Sequence, residues 1–281
     1  MKFVSFRVGG AAHYGVVDGK NVVDLKPRLK YPDLKAMIVA DAVAEAGRVA
    51  KGAAADFSLD QISFDPVIPD PGKIICIGLN YAEHANETGM TRNAHPPIFV
   101  RWADSQIGHL APIVKPNDSE QLDYEGELAV ILGKGGRYIP QNEAAAHIVG
   151  YSCYNEVSVR DYQKHASQFT PGKNFPGTGA FGPFMVTADE VGDLKSKKIQ
   201  TRLNGNTMQS STLDMMISPP ARLIAYISTF TPLSPGDVIV SGTPGGVGWV
   251  RTPPLWMKVG DTAEVEIDGV GLLKNSIVGE A

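Results

Sequence analysis

The segment Leu122-Asp-Tyr-Glu-Gly-Glu-Leu-Ala-Val-Ile-Leu132 carries three carboxylates at alternate positions. On an extended strand, residues two apart point the same way, so Asp123, Glu125 and Glu127 share one face. The Cα atoms of Glu125 and Glu127 are then roughly 6.5–7 Å apart, close enough for both side chains to converge on one cation. Two carboxylates held side by side repel, and a divalent ion removes that cost. The other face carries Tyr124, Leu128, Val130 and Leu132, a buried pattern interrupted at Gly126, where a small residue permits close approach to the backbone. The same pattern also fits a solvated polar face on an edge strand. A third oxygen ligand is available at Glu156, at a strand-to-helix junction within Gly150–Gln163. Oxygen donors without a Cys/His cluster point to Mg²⁺ or Mn²⁺ rather than Zn²⁺.

A base and anion-holding groups stand elsewhere in the chain. His84 and Glu87 are three apart in Leu79–Gly89, which on a helix puts them on one side. A carboxylate beside an imidazole orients it and raises its basicity, as proton abstraction from water requires. Gly89 offers a hinge for a closing lid. Lys173, in the Gly- and Pro-rich stretch Thr170–Pro183, is either a solvated lysine or a cation aimed into a site. Ser241–Gly248 is a second Gly-rich loop, directly after a strand, and such loops present N–H groups to anions. It has neither the Lys-Ser/Thr ending of a Walker loop nor GxGxxG order, so a carboxylate ligand at Thr243 is expected rather than a nucleotide.

Short strands must position these residues. Runs at Phe3–Val8 and Tyr14–Val17 flank the turn signal Asp18–Gly19. A helix is expected over Asp33–Ala50, and Pro66, Pro69 and Pro71 then mark a semi-rigid connection. A boundary near residue 70 divides a small N-terminal α+β domain, 1–70, from a strand-dominated domain, 71–281. Strands are expected at Lys73–Ile77, Leu122–Leu132, Asp237–Ser241, Ala263–Ile267 and Gly271–Val278. Helices are expected at Tyr81–Gly89, Val157–Ala166 and Ser218–Phe230, the last with Ser218 as N-cap and Pro219 at the first helical position. Thr170–Pro183 reads as non-helical.

Composition narrows the class. The 281 residues carry 26 Lys+Arg against 30 Asp+Glu, a formal charge of −4. No basic stretch is longer than Lys195–Lys198, which argues against a nucleic-acid surface. The uncharged run Leu223–Gly236 is too short to span a membrane and is broken by Pro232 and Pro235. Met1–Gly10 has Lys2 and Arg7 among its apolar residues, unlike a signal peptide. Cys76 and Cys153 make no disulfide framework, so they read as small core residues in a reducing, cytoplasmic setting.

Five separated motifs now stand in one order: Asn80–Glu87, Glu125–Glu127, Asn155–Gln163, Lys173–Pro183 and Gly242–Gly248. Together they resemble the fumarylacetoacetate hydrolase family over about residues 70–278. The resemblance implies an α+β fold with a mixed β-roll catalytic domain, usually a homodimer, with Mg²⁺ or Mn²⁺ held by three carboxylates. It assigns Glu125, Glu127 and Glu156 as ligands and His84 with Glu87 as the water-activating pair. It places Lys173 beside the reaction, and Arg160, Gln163 and Thr243 against substrate. Two departures stand out. Glu156 replaces the family's usual Asp, one methylene shorter, and Phe99-Val-Arg-Trp102 replaces the frequent FLKP. Arg101 and Trp102, with Gln168–Thr170, are expected to line the distal pocket.

The implied reaction is C–C hydrolysis of a 2,4-dioxo acid of the acylpyruvate kind. His84 deprotonates a water that attacks the distal carbonyl, Lys173 or Gln163 stabilises the oxyanion, and the products are a carboxylic acid and pyruvate or a related 2-oxo acid. The alternative on the same scaffold is decarboxylation or isomerisation of a 2-oxo dioic acid, of the oxaloacetate or 2-oxohept-3-enedioate type. Both pass through an enolate, and the His84–Glu87 pair favours hydrolysis because activated water is what that reaction adds. A non-catalytic, metal-stabilised binding module is the reading from a different class.

Overall fold

The computed structural model describes residues 1–90 and 94–281. It is a mixed α+β fold, mostly sheet with few and short helices. Among the described residues, one sheet takes up twelve strands. Its central ladder runs Lys2–Val8, Gly179–Thr187, Ile148–Glu156, Gly126–Leu132, Val238–Val240, Ile74–Ile77 and Ile98–Arg101. A five-stranded sheet, Asn206–Thr212, Lys198–Leu203, Thr262–Ile267, Gly271–Gly279 and Ile113–Lys115, packs against it. The strand path of the large sheet keeps two free ends, so it is not a closed barrel.

Alternation along these strands separates two apolar layers. Leu128, Val130 and Leu132 face the helix Pro220–Phe230, through Leu223, Ile224 and Ile227, and the smaller sheet. Ala129, Ile131, Tyr154, Cys76 and Phe99 face a second cluster that also holds Phe3, Tyr14 and Leu25. Strands from before residue 70 therefore join both the sheet, where Phe3 pairs with Met185, and the apolar layer on its inner face. By the same alternation Glu127, Glu156 and Arg101 belong to the inner face. Three charged side chains thus continue what is otherwise an apolar surface.

Several expected elements differ locally. The acidic strand breaks at Tyr124–Glu125: Leu122–Asp123 pairs with Ser158–Val159, and only Gly126–Leu132 enters the large sheet, buried along its whole length. Asp123 stays beside Glu125, since both pair with Arg160 Nη2, but it is not one of the three carboxylates that converge. Gly126 makes room for protein, since a Cβ there would lie 2.0 Å from Thr201 Oγ1 of the smaller sheet. Asp33–Ala50 forms two helices, Leu34–Val39 and Val43–Ala50, because Asp41 takes φ 53° between them and leaves Val39 exposed. Ser218 is not the cap: Pro219 holds that position, and the Ser218 N–H donates to Asn80 Oδ1 instead. Within 157–166 only Arg160–Gln163 is helical, while Thr170–Lys173 forms one helical turn where none was expected. Both cysteines are buried.

Candidate active site

Pairing of Gly126 with Asn155 brings the start of one strand beside the end of the next, so Glu125 and Glu127 meet Glu156. The link is tightened by Glu156 N–H, which donates to Glu125 O at 2.8 Å. One carboxylate oxygen from each of Glu125, Glu127 and Glu156 lies within 4.8 Å of the others, and all three residues are buried. Glu125 accepts from Lys173 Nζ at 2.6 Å and pairs with Arg160 Nη2 at 2.7 Å. Burial works against its ionisation, but Arg160 and Lys173 override that and hold its carboxyl down at about 2. Glu127 is the opposite case. Burial, then the charges of Glu156 and Glu125, push its carboxyl well above the usual range. Its oxygen accepts from Gly242 N–H, and among the described residues no cation lies within 4.0 Å of it.

Asp123, Glu125, Glu127 and Glu156 form a buried set of four carboxylates, against the three buried cations Arg101, Arg160 and Lys173. Glu156 Oε1 makes no hydrogen bond. Three buried carboxylates that converge, one of them without a cationic partner, and an all-oxygen donor set fit a hard divalent cation held by Glu125, Glu127 and Glu156.

The helix Ala82–Thr88 carries the candidate base, His84. It follows the strand Ile74–Ile77 and ends at Gly89 in the left-handed conformation, φ 66°. His84 Nδ1 lies 2.9 Å from Glu87 Oε1, and Glu87 Oε2 accepts from Gly246 N–H at 2.7 Å. A carboxylate at Nδ1 places the imidazole proton there, which leaves the Nε2 lone pair for a proton from elsewhere. The start of this helix is anchored by Asn80, whose amide donates to Ser218 O and Ser241 O. Asn80 stands inside one of the five motifs, but its role depends on a helix start and a strand end that only folding brings together.

The Gly-rich loop does bind anions, and they are the protein's own. Gly242 N–H serves Glu127, Gly246 N–H serves Glu87, and Gly248 and Trp249 N–H serve Asp123 at 2.8 and 3.2 Å. Gly242 has φ +97°, a conformation that leaves its N–H free to point at Glu127. Asp123 thus ties this loop to Arg160, whose Nε donates to it at 2.8 Å. Burial raises the Asp123 carboxyl, against the pull of Arg160.

Several of these groups border one cavity. His84, Glu125, Glu127, Glu156, Arg160, Gln163, Lys173 and Thr243 all line it, together with Ile77, Leu79, Met90, Phe99, Lys164, Phe169 and Trp249. Gln163 Oε1 accepts from Arg160, so its amide N–H groups are the part left for a ligand. The Thr243 hydroxyl donates to Gly126 O and accepts from Gln209. Glu87 stands behind His84. Arg101 does not border the cavity: it is buried, donates to Val157 O at 2.6 Å, and sets Nε 3.3 Å from Glu156 Oε1. Its place under Glu156 corrects the expectation of a distal-pocket residue. Trp102 is 56% exposed and also lies off the cavity, whereas Phe169 of the 168–170 stretch is part of its wall.

A family model, fumarylacetoacetate (FAA) hydrolase C-terminal, matches residues 73–278. The chain belongs to the fumarylacetoacetate hydrolase family. It is 39% identical over 220 residues to a mitochondrial oxaloacetate tautomerase of Bos taurus, covering 78% of this chain and 70% of the relative. The crystal structure of a fumarylacetoacetate hydrolase from Exiguobacterium antarcticum superposes with TM-score 0.85 at 33% identity, over the full length of both chains. A maleylpyruvate hydrolase from Sphingobium sp. SYK-6, in complex with manganese(II) and pyruvate, superposes with TM-score 0.83 at 25% identity, again over both full lengths. The family is one of enzymes, and no helix among the described residues is long and apolar enough to cross a membrane.

Proposed function

We propose that this chain is a metal-dependent enzyme that interconverts the keto and enol forms of a 2-oxo dioic acid of the oxaloacetate type. The observation that carries this reading is the 39% identity, over 78% of the chain, to an oxaloacetate tautomerase. That likeness moves the weight from the hydrolysis expected above to the isomerase alternative. Glu125, Glu127 and Glu156 would hold a divalent cation, which when bound would supply Lewis acidity that makes the protons beside a 2-oxo group easier to remove. His84 Nε2 takes the proton from substrate C3, and Glu87, fixed by Gly246 N–H, holds the ring and balances the imidazolium that forms. Lys173 directs positive charge toward the oxygen on which negative charge develops. The proton then returns to oxygen to give the enol, and the reverse path returns it to carbon. Burial of His84, Lys173 and the carboxylates keeps bulk water from competing for that proton.

Hydrolysis remains the second reading, supported by the full-length likeness to maleylpyruvate hydrolase. In it His84 takes the proton from water rather than from carbon. A homodimer and a cytoplasmic setting remain part of the proposal, resting on the family resemblance and on the reduced cysteines. Oxaloacetate tautomerisation followed by ultraviolet absorbance, with product analysis by NMR, tests the two readings with Mg²⁺ or Mn²⁺ and with EDTA. Metal-dependent acceleration of keto–enol exchange supports the tautomerase. Metal-dependent release of pyruvate and a carboxylic acid from acylpyruvates, with exchange at the uncatalysed rate, replaces it by the hydrolase.

A further inference from the structure

Among the described residues three cations border the cavity, and two are committed to the protein. Arg160 is held by Asp123 and Glu125, and Lys173 by Glu125. Among the described residues the third, Lys164, has no carboxylate within 4.0 Å. Its ammonium rests 4.3 Å from the ring centroid of Trp249, whose backbone N–H is pinned to Asp123. An aromatic face steadies an ammonium without consuming its N–H donors, so three donors stay available to an anion. Lys164 is exposed while Glu125, Glu127, Glu156 and Lys173 are buried, which places this free charge at the rim and the chemistry at the floor. Among the described residues, the wall supplied by Met90 and Phe169 has no charge to offer a second carboxylate.

We infer that Lys164, shelved on Trp249, receives the second carboxylate of a 2-oxo dioic acid and selects it over a monocarboxylic 2-oxo acid. The inference rests on the oxo-dioic-acid reading above and names the group that recognises the distal end of that substrate. A neutral acyl chain would leave the ammonium unpaired, and a carboxylate pairs with it directly.

The test uses an inert pair of ligands on the Mg²⁺-loaded protein: oxaloacetate difluorinated at C3, which has no hydrogen there to lose, and its monocarboxylic analogue, difluorinated 2-oxobutanoate. Affinities are measured by calorimetry for the wild type, Lys164→Met and Lys164→Arg. The ratio of the two affinities falls about fivefold in Lys164→Met, as suits a rim ion pair, and is kept in Lys164→Arg. A ratio that stays the same in Lys164→Met, or a wild type without preference for the dioic ligand, overturns the inference. Turnover of oxaloacetate is measured alongside. Its absence in a wild type that still shows the Lys164-dependent preference sinks the tautomerase reading alone.

Discussion

Arg101 Nε lies 3.3 Å from Glu156 Oε1, and both side chains are buried, Glu156 at the cavity floor and Arg101 beneath it. The guanidinium is fastened independently, by a 2.6 Å bond to Val157 O. It therefore fixes where the Glu156 carboxylate stands. Removing one partner of a buried pair leaves the other charge uncompensated. We expect Arg101→Met to lower stability by about 3–5 kcal/mol in chemical denaturation. Mn²⁺ affinity should weaken as well, while the preference among substrates is kept. A change in substrate preference with unaltered metal affinity would return Arg101 to the distal pocket.

The carboxylate cluster predicts a stability change on metal removal. A cation that binds only the folded state at a hundredfold excess over its Kd adds about 2.7 kcal/mol, so Mg²⁺ or Mn²⁺ should raise Tm and EDTA should reverse the rise. Glu127→Gln is expected to abolish that rise while leaving the metal-free Tm equal or higher, because it removes a buried carboxyl with no cationic partner. The raised pKa of Glu127 gives the sign of the pH effect. Binding a cation must expel a proton held above the usual carboxylate range, so metal affinity should climb as pH rises. Calorimetric titration at two pH values checks this, and an affinity independent of pH would remove Glu127 from the ligand set.

His84 and Glu87 should act on rate and leave the metal alone. His84→Gln is expected to lower kcat by about 10²–10⁴-fold with Mn²⁺ affinity little changed. Glu87→Gln should also lower kcat, since it removes the charge that holds the imidazole and stabilises its protonated form. Steady-state kinetics beside metal titration separates the two effects. A His84 variant with full keto–enol exchange would require a different base.

His109 predicts part of the acid limb of the stability curve. Burial, with a smaller push from Lys274, lowers its pKa from 6.5 to about 4. Its Nδ1 accepts from Lys274 N–H, and its ring packs edge-on to Phe64 at 4.8 Å. Between about pH 6.5 and 4 the unfolded chain binds a proton that the folded chain refuses, so stability falls as pH drops through that window. The loss amounts to about 3 kcal/mol at 1.36 kcal/mol per unit. His109→Asn keeps an acceptor and removes the titration, so its denaturation free energy should fall less steeply than the wild type's over the same window.

Much of the site was legible because its chemistry lies in short local patterns. Glu125 and Glu127 two apart, His84 and Glu87 three apart, and Lys173 between glycines announce themselves by residue type and spacing. Asp123 was misplaced because alternation was carried through Tyr124–Glu125, where the strand breaks and the side chain turns to Arg160 and Gly248. Arg101 was misplaced because nothing near it in the chain shows that Glu156, 55 positions later, would stand above it. Ser218 looked like a helix cap because local rules favour it, yet its N–H is claimed by Asn80, 138 positions away.

The sequence by itself determined the chemical inventory: closely spaced carboxylates, an imidazole three residues from a carboxylate, a lysine, a Gly-rich loop and the strands that carry them. Spacing within one strand or one helical turn settles which of these groups face the same way, since backbone periodicity is local. Which carboxylate each cation answers was decided by tertiary structure alone. The pairing of Gly126 with Asn155, the loop N–H groups spent on Glu127, Glu87 and Asp123, and Arg101 beneath Glu156 all join positions far apart in the chain. In a buried site each charge needs a partner, and the fold supplies partners only where distant strand ends meet.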